Sequence, residues 1–208
     1  MDGGYRERGS MGRWSIEPGQ LVAHASFEAH DNLVAESGAW VLNIAVPPYA
    51  ILPPVFTVDD PDAIIAAAHS GLPVASLLRP VAVVPPDEDD WADVLAADLR
   101  REPISITEWA RKAGFDRAKV SRGFHAAFGV TPARYRLENQ TLRAMRLIAS
   151  TAEPLAAIAA TCGFADQAHL NRAVRSISSH TPRSWRIKSI QDRAVEGRYE
   201  AARLQRDR

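Results

Sequence analysis

Two short stretches in the second half of the chain carry side chains that suit contacts with base edges or phosphates. Drawn as helices, both have one apolar face and an opposite face of small, polar or basic residues. Arginine, glutamine, asparagine and serine can hydrogen-bond to bases or phosphates, whereas alanine offers at most an apolar contact with a thymine methyl group. The candidate residues are Arg117, Ala118, Ser121 and Arg122 in the first stretch and Gln167, Ala168, Asn171 and Arg172 in the second.

The first of these faces requires two helices joined by a tight turn. Ser105 caps a predicted helix over about residues 106–113, and Gly114 supplies the left-handed residue that ends it. Asp116 then caps a second helix. The apolar face of that second helix consists of Val120, Phe124 and Phe128. Two short helices joined through a glycine turn form the helix-turn-helix pattern.

The pattern occurs twice, about fifty residues apart. Gly114 and Asp116 recur as Gly163 and Asp166, and Leu170, Val174 and Ile177 form the second apolar face. Between the copies, Thr131-Pro132 starts a predicted helix to about residue 148, roughly 25 Å long. That length is comparable with the ~34 Å between successive major-groove faces of DNA. We therefore expect one linking helix to present two reading helices to the same duplex.

Residues 104–186 resemble the DNA-binding domain of the AraC/XylS family of bacterial transcription regulators. The stretch IAATCGFADQAHLNRA, residues 158–173, is similar to the family signature, in which Ile-Ala, Gly-Phe and a later arginine follow in this order. The resemblance implies a transcription regulator with two recognition helices that read bases. Carried over residue by residue, it assigns base reading to Ala118, Ser121, Arg122, Gln167, Ala168, Asn171 and Arg172, and Arg117 completes the predicted DNA-binding set.

The end of the second copy departs from the family pattern. Ser178, Ser179 and His180 stand where the family usually has a phenylalanine, a glycine and an apolar residue. Losing an aromatic side chain from a small core costs on the order of several kcal/mol if the site does not repack. The second unit is therefore predicted to be less stable than the first.

The two halves of the chain differ in charge. Residues 1–99 contain 4 Lys and Arg against 15 Asp and Glu, whereas residues 100–208 contain 21 against 10. The formal net charge of zero therefore hides halves of −11 and +11. A charge run is often only a solvated surface, but here the basic half coincides with the helix-turn-helix pattern. This asymmetry indicates that the second half meets nucleic acid.

The first half reads as β-structure followed by short helices. Strands are predicted at residues 13–16, 21–24 and 40–46, and helices at residues 61–68 and 74–78. The spacing of Gly12, Pro18-Gly19 and His24 resembles the second motif of a cupin barrel, the sensory domain common in this family. The strands are too few to close a barrel. Two alternatives remain: a reduced domain, or a start that lies inside a longer gene.

The predicted fold class is α+β, with a partial cupin-like β region followed by an all-α DNA-binding domain of two helix-turn-helix units joined by a linker helix. The predicted segments are a reduced cupin-like sensory region with short helices (1–86), a linker helix (87–103), the double helix-turn-helix domain (104–187) and a charged tail (188–208). The linker helix is amphipathic, and such helices more often cover their own domain's core than a partner.

Two other functions are weighed against a regulator. In a metal-dependent cupin-type enzyme, His24, Glu28 and His30 would be the ligands, but the paired histidine motif of the first cupin segment is missing. We therefore predict no metal, no cofactor and no enzyme activity. Because Cys162 is the single cysteine, the chain cannot form an intrachain disulfide. No neighbouring residue is recognisable as an activator of its thiol, so redox or alkyl-transfer chemistry is not predicted. The other alternative is an adaptor whose degenerate helix-turn-helix units bind a protein.

The predicted partner is double-stranded DNA at a promoter or operator. RNA polymerase and a second copy of the chain are further candidate partners, since exposed sheet edges favour association. The N-terminus lacks a secretory signal, and no apolar run approaches the ~18 residues needed to span a membrane. We expect a cytoplasmic protein without membrane contact. No effector, operator sequence or direction of regulation is assigned.

Overall fold

The computed structural model describes residues 3–24, 27–46, 52–72, 74–87, 90–101 and 104–189. The chain divides into two compact units, Met1–Arg136 and Leu137–Arg208, with the boundary inside a long helix. The predicted basic tail lies mostly outside the described residues, since these end at Ser189. In the described part of the chain, no helix combines the length and the apolar character needed to cross a bilayer.

Two small antiparallel sheets form the N-terminal part of the first unit. The first sheet has the order β2-β1-β4, with β1 at Tyr5–Gly9, β2 at Gly12–Ile16 and β4 at His30–Val34. The second has the order β3-β5-β6, with β3 at Leu21–Val22, β5 at Val55–Thr57 and β6 at Ala82–Val83. Helix α1, Pro61–His69, follows β5, and the Asp60 side chain caps it by accepting from the Ala63 N–H at 2.9 Å.

The sequence located only part of this β-structure. Strands β2 and β3 occur where strands were predicted, but the predicted strand at residues 40–46 is wrong, because those residues form none. The side chain of Trp40 is 92% exposed and that of Val41 58% exposed, so this apolar run does not cover a sheet. A turn at residues 75–77 replaces the second short helix. Two three-stranded sheets do not confirm the predicted cupin-like region.

Three helices of the first unit enclose one apolar cluster. They are α2 at Trp91–Arg101, α3 at Ile106–Lys112 and α4 at Arg117–Phe128. Leu95 from α2 and Phe124 from α4 are both fully buried in the cluster. Trp91 lies so close to Gly123 of α4 that a Cβ there would stand 2.5 Å from the indole. Helix α2 therefore covers the core of the first helix-turn-helix unit, as its amphipathic pattern predicted.

The second unit is built on the same plan. Helix α5, Pro132–Ser150, begins at the predicted proline and enters this unit at Leu137. Helices α6, Leu155–Thr161, and α7, Gln167–Ser178, follow, and residues 182–189 are also helical. Ile148, Ile158 and Leu170 are fully buried in the shared apolar cluster. The helix predicted to end near residue 148 thus ends at Ser150.

Both copies make the predicted glycine turn with the same hydrogen bonds. Gly114 and Gly163 have φ angles of 74° and 79°, which only glycine adopts without steric cost. The next residue donates its backbone N–H five positions back, from Phe115 to the Ala110 carbonyl at 2.8 Å in the first copy. In the second copy Phe164 donates to the Ala159 carbonyl at 2.9 Å. These bonds satisfy carbonyls at the end of each first helix and fix the start of the next.

Arg136 and Arg186, which lie fifty residues apart, are a further matching pair of the two copies. Arg136 Nη1 donates to the carbonyl of Ile104, the residue before the cap of α3, at 3.2 Å. Arg186 Nη2 donates to the carbonyl of Glu153, the residue before the cap of α6, at 2.7 Å. Each copy therefore fastens its last element to the entrance of its first helix by the same bond.

Candidate nucleic-acid interface

The two candidate reading helices begin in the same way. The Asp116 carboxylate accepts from the backbone N–H of Lys119 at 2.7 Å at the start of α4. The Asp166 carboxylate accepts from the backbone N–H of His169 at 2.6 Å at the start of α7. Each bond satisfies one of the free donors at a helix N-terminus, and a carboxylate there suits the helix dipole. Both helices are twelve residues long.

Helix α4 separates its residues into a buried face and an exposed face. Val120 and Phe124 are fully buried, and Phe128 is 7% exposed. On the opposite side Arg117, Ala118 and Arg122 are exposed, while Ser121 is half-buried. The four predicted site residues of this unit therefore lie together on one face of one helix. That face displays guanidinium and hydroxyl groups, which are the kinds of donor that can hydrogen-bond to base edges or phosphates.

Helix α7 has the same division. Leu170 and Val174 are fully buried, whereas Gln167, Ala168 and Arg172 are exposed. Because the inner face of α7 is buried in the core of this unit, these residues point away from that core. The predicted residues of the second unit thus also share one face.

Asn171 differs from the other predicted residues because its side chain is partly buried. Its Oδ1 atom is shielded from solvent and has no hydrogen-bond partner among the described residues. An unpaired buried acceptor costs free energy. To read a base, the Asn171 amide would have to rotate outward, and this rotation would also free the acceptor for a hydrogen bond.

The other chemical candidates of the sequence are Cys162 and the set of His24, Glu28 and His30. Burial raises the pKa of Cys162 above its usual value, which favours the unreactive thiol. The His24 and His30 rings stack with their centroids 4.0 Å apart, and Glu28 accepts from the Ser10 hydroxyl at 3.1 Å. The residues that the structure describes contain no group of three or more His, Cys, Asp or Glu side chains that could hold a metal ion.

Sequence reasoning missed two arginines that contact the far end of α4. Arg8 of β1 and Arg13 of β2 both lie against its last turn. Their type and position carried a signal, because residues 1–99 contain only 4 Lys and Arg, and three of these fall within residues 6–13. Three of the four basic residues of this acidic half therefore lie close together in the sequence, and this clustering was the signal that could have drawn attention to them.

Comparisons with known proteins match the C-terminal part of the chain. Residues 109–188 match the model of a family described as a helix-turn-helix domain. A protein of Photobacterium leiognathi described as probable transcriptional regulator LumQ is 28% identical over 87 residues, which are 42% of this chain and 35% of LumQ. The match thus spans about a third of that relative.

Solved structures are also similar to this part of the chain. One is a transcriptional regulator of Chromobacterium violaceum with an AraC-type DNA-binding domain, at 28% identity, covering 47% of this chain and 89% of that one, with a TM-score of 0.43. Another is the DNA-binding domain of the global transcriptional factor AdpA in complex with a target DNA, at 21% identity, covering 48% and 93%, with a TM-score of 0.45.

The family match and the two capped helix pairs define the class of the C-terminal part. Residues 109–188 form a helix-turn-helix domain. Within that class, the predicted resemblance of this segment to the AraC/XylS regulators is confirmed by the family match and by the similarity to a described transcriptional regulator.

Proposed function

We propose that this chain is a sequence-specific transcription regulator of the AraC/XylS type that inserts α4 and α7 into successive major-groove segments of double-stranded DNA. The observation that carries the proposal is the matched construction of the two helices. Each has a carboxylate cap, a fully buried inner face and an outer face that displays basic or amide side chains. The net charge of +11 on residues 100–208 supports contact with a polyanion.

The roles of the site residues follow from their hydrogen-bonding groups. Arg122 and Arg172 suit guanine or a phosphate, and Gln167 and Asn171 suit adenine. Asn171 Oδ1 makes no hydrogen bond to the described residues, so turning this amide towards a base would not break a protein contact of that atom. The remaining members of the proposed interface are Arg117, Ala118, Ser121 and Ala168.

Double-stranded promoter or operator DNA is the proposed partner, and the proposed location is the cytoplasm. RNA polymerase and a second copy of the chain are further proposed partners of a regulator. No effector, cofactor or metal is assigned, and the proposal includes no enzyme activity. The N-terminal sheets are proposed to act as the regulatory part of the chain.

The adaptor alternative rested on the polar residues Ser178 to His180. In the structure the Ser178 hydroxyl donates to the Val174 carbonyl at 2.8 Å, and the His180 ring lies 2.5 Å from the Ser178 carbonyl through Nδ1. These polar groups are therefore used within the second unit. Their internal bonds remove the reason to assign them to a protein partner.

Selection from a random pool of duplexes tests the proposal. The full chain is expected to enrich sequences that contain two boxes about one helical turn, roughly 10 base pairs, apart. Affinity for the enriched duplex should fall steeply as salt rises, because each neutralised phosphate releases counterions. A chain that enriches no sequence, even at low ionic strength, would rule out the proposed function.

A further inference from the structure

The last turn of α4 is held by side chains from the N-terminal sheet. Arg8 Nη1 donates to the carbonyls of Ala126 and Ala127 at 3.1 and 3.4 Å. Carbonyls in the last turn of a helix have no partner within the helix. A guanidinium at this end also suits the negative pole of the helix dipole. Arg8 therefore acts as a side-chain cap for the C-terminal end of α4, provided from more than a hundred residues earlier in the chain.

Strand register fixes Arg8 in this position. Asp31 of β4 lies directly opposite Arg8 of β1 in the antiparallel pair. Its Oδ2 accepts from Arg8 Nε at 3.0 Å and from Arg8 Nη2 at 2.7 Å. One guanidinium is thus shared between the edge strand of the sheet and the end of α4. A lysine ammonium has no planar fork and cannot reproduce this bridge.

Arg13 makes a second connection beside the first. Its Nε and Nη2 atoms donate to the two carboxylate oxygens of Asp93 on α2, at 2.7 and 2.5 Å. The same guanidinium lies 5.4 Å from the ring centroid of Phe128, the last residue of α4. Because Asp93 is buried, removing Arg13 would leave an uncompensated charge and destabilise the unit. Arg8 and the exposed Asp31 are therefore the better pair to test.

We propose that Arg8, held by Asp31, is a positioning residue for DNA binding by α4. By fixing the last turn of α4, Arg8 sets the direction of the helix that carries Arg117, Ser121 and Arg122. The N-terminal sheet then contributes to the affinity for DNA without providing a base contact. This inference rests on the proposed function.

If Arg8 instead contacts a phosphate directly, the expected effect of Asp31→Asn on DNA binding has the opposite sign. If Arg8 binds a phosphate, the neighbouring carboxylate repels the same phosphate, and Asp31→Asn should tighten DNA binding. If Arg8 positions α4, Asp31→Asn frees the guanidinium from its anchor and should weaken binding. The sign of the Asp31→Asn effect therefore separates the two roles. Because the Asp31 side chain is 65% exposed, this substitution is not expected to unfold the chain.

The experiment compares full-length variants on the duplex that the wild-type chain selects. Arg8→Ala and Asp31→Asn are each expected to weaken binding about 3- to 10-fold, the size expected for losing one typical hydrogen-bonded contact. The double variant should bind no more weakly than Arg8→Ala, because the two residues act through one contact. The dependence of affinity on salt should keep its slope, whereas loss of a phosphate contact lowers that slope by about one.

Three further measurements complete the test. Amide hydrogen exchange at residues 125–129 should be faster in Arg8→Ala, and Arg8→Lys should restore only part of the affinity. Arg79→Ala removes the same charge from an exposed position and should bind as wild type does.

If the wild-type chain selects no duplex, the proposed function fails and this role fails with it. If it selects a duplex that Arg8→Ala and Asp31→Asn bind as tightly as the wild-type chain does, or if Asp31→Asn binds more tightly than wild type, only the role of Arg8 is overturned.

Discussion

Ser179 ends α7 in the left-handed backbone conformation, with φ at 59°. Gly129 ends α4 at the matching position with φ at 74°. A side chain in this conformation costs about 1–2 kcal/mol, whereas glycine adopts it freely. The adjacent Ser178 is buried where the first copy places Phe128. The second copy therefore contains both a strained cap and a smaller core residue at the end of α7.

Replacing the strained cap should stabilise the chain. Ser179→Gly is expected to raise the free energy of unfolding by about 1 kcal/mol, because the left-handed conformation then carries no steric cost. Urea unfolding of the full chain, followed by circular dichroism, measures this change. The matched control is Gly129→Ser, which introduces the same cost into the first copy and should lower stability by a similar amount. A Ser179→Gly chain no more stable than wild type contradicts the strain at this cap.

Glu7 of strand β1 has a buried carboxylate. Glu7 is 5% exposed, its Oε2 lies 3.7 Å from His24 Nε2, and the Tyr5 hydroxyl donates to it at 3.4 Å. Burial raises the pKa of Glu7 and lowers that of His24. Burial, together with the nearby Glu7 charge, also raises the pKa of Tyr5 to about 12. His30, which stacks on His24, and Glu28 are the other titratable groups that act on Glu7.

This environment predicts how stability depends on pH. An acid whose pKa is raised on folding gives stability that is complete below its unfolded pKa, about 4.5 for Glu7, and lost as pH rises through the folded value. Glu7→Gln stays neutral, so its stability relative to wild type should increase from pH 4 to pH 7. His24 acts with the opposite sign, since its lowered pKa gives stability that is lost as pH falls.

Unfolding free energies of wild type and Glu7→Gln between pH 4 and pH 8 measure this effect. Glu17→Gln is the matched control, because it makes the same substitution at an exposed position. A constant difference between Glu7→Gln and wild type across this range would show that burial of Glu7 has no such effect.

The helices were predictable because their signals are local. A capping aspartate three residues before the N–H that it accepts, a left-handed glycine and apolar residues four apart all lie within one short stretch of sequence. The exposed faces of α4 and α7 followed from the same periodicity. The partly buried amide of Asn171 did not, because periodicity places a residue on a face but does not fix its side-chain orientation.

Strands and the arginine contacts were harder to predict because they depend on distant partners. Strand β4 consists of exposed residues and is a strand only because it pairs with β1. Residues 40–46 have the apolar composition of a strand but no neighbouring strand in the structure. The bond from Arg8 to the end of α4 joins positions 118 residues apart, and no local pattern encodes such a contact.

Residues 100–208 contain two copies of the same helix-turn-helix arrangement and carry a net charge of +11. Both copies have a capped second helix, the glycine turn and the arginine bond to the entrance of the first helix. A repeat kept in such detail suits two units with the same task. If each unit reads one box of a duplex, loss of one reading arginine should weaken binding without abolishing it.

Arg122→Ala and Arg172→Ala are each expected to weaken binding of the selected duplex by about 1–3 kcal/mol. Both side chains are exposed, so neither substitution should unfold the chain. Because the two residues belong to different units, the effects should add in the double variant. A phosphate contact will also lower the salt slope by about 0.9, whereas a base contact will relax selectivity at one position.

Binding titrations on the selected duplex, repeated at several salt concentrations, measure these effects, with Arg79→Ala as the charge-matched control. Wild-type affinity in both single variants would reject the assignment of these arginines. An effect of Arg122→Ala alone, with Arg172→Ala unchanged, would limit DNA reading to the first unit. That result would also account for the left-handed Ser179 cap and the small buried Ser178 at the end of α7. A helix that reads no bases has no need of a firmly held end.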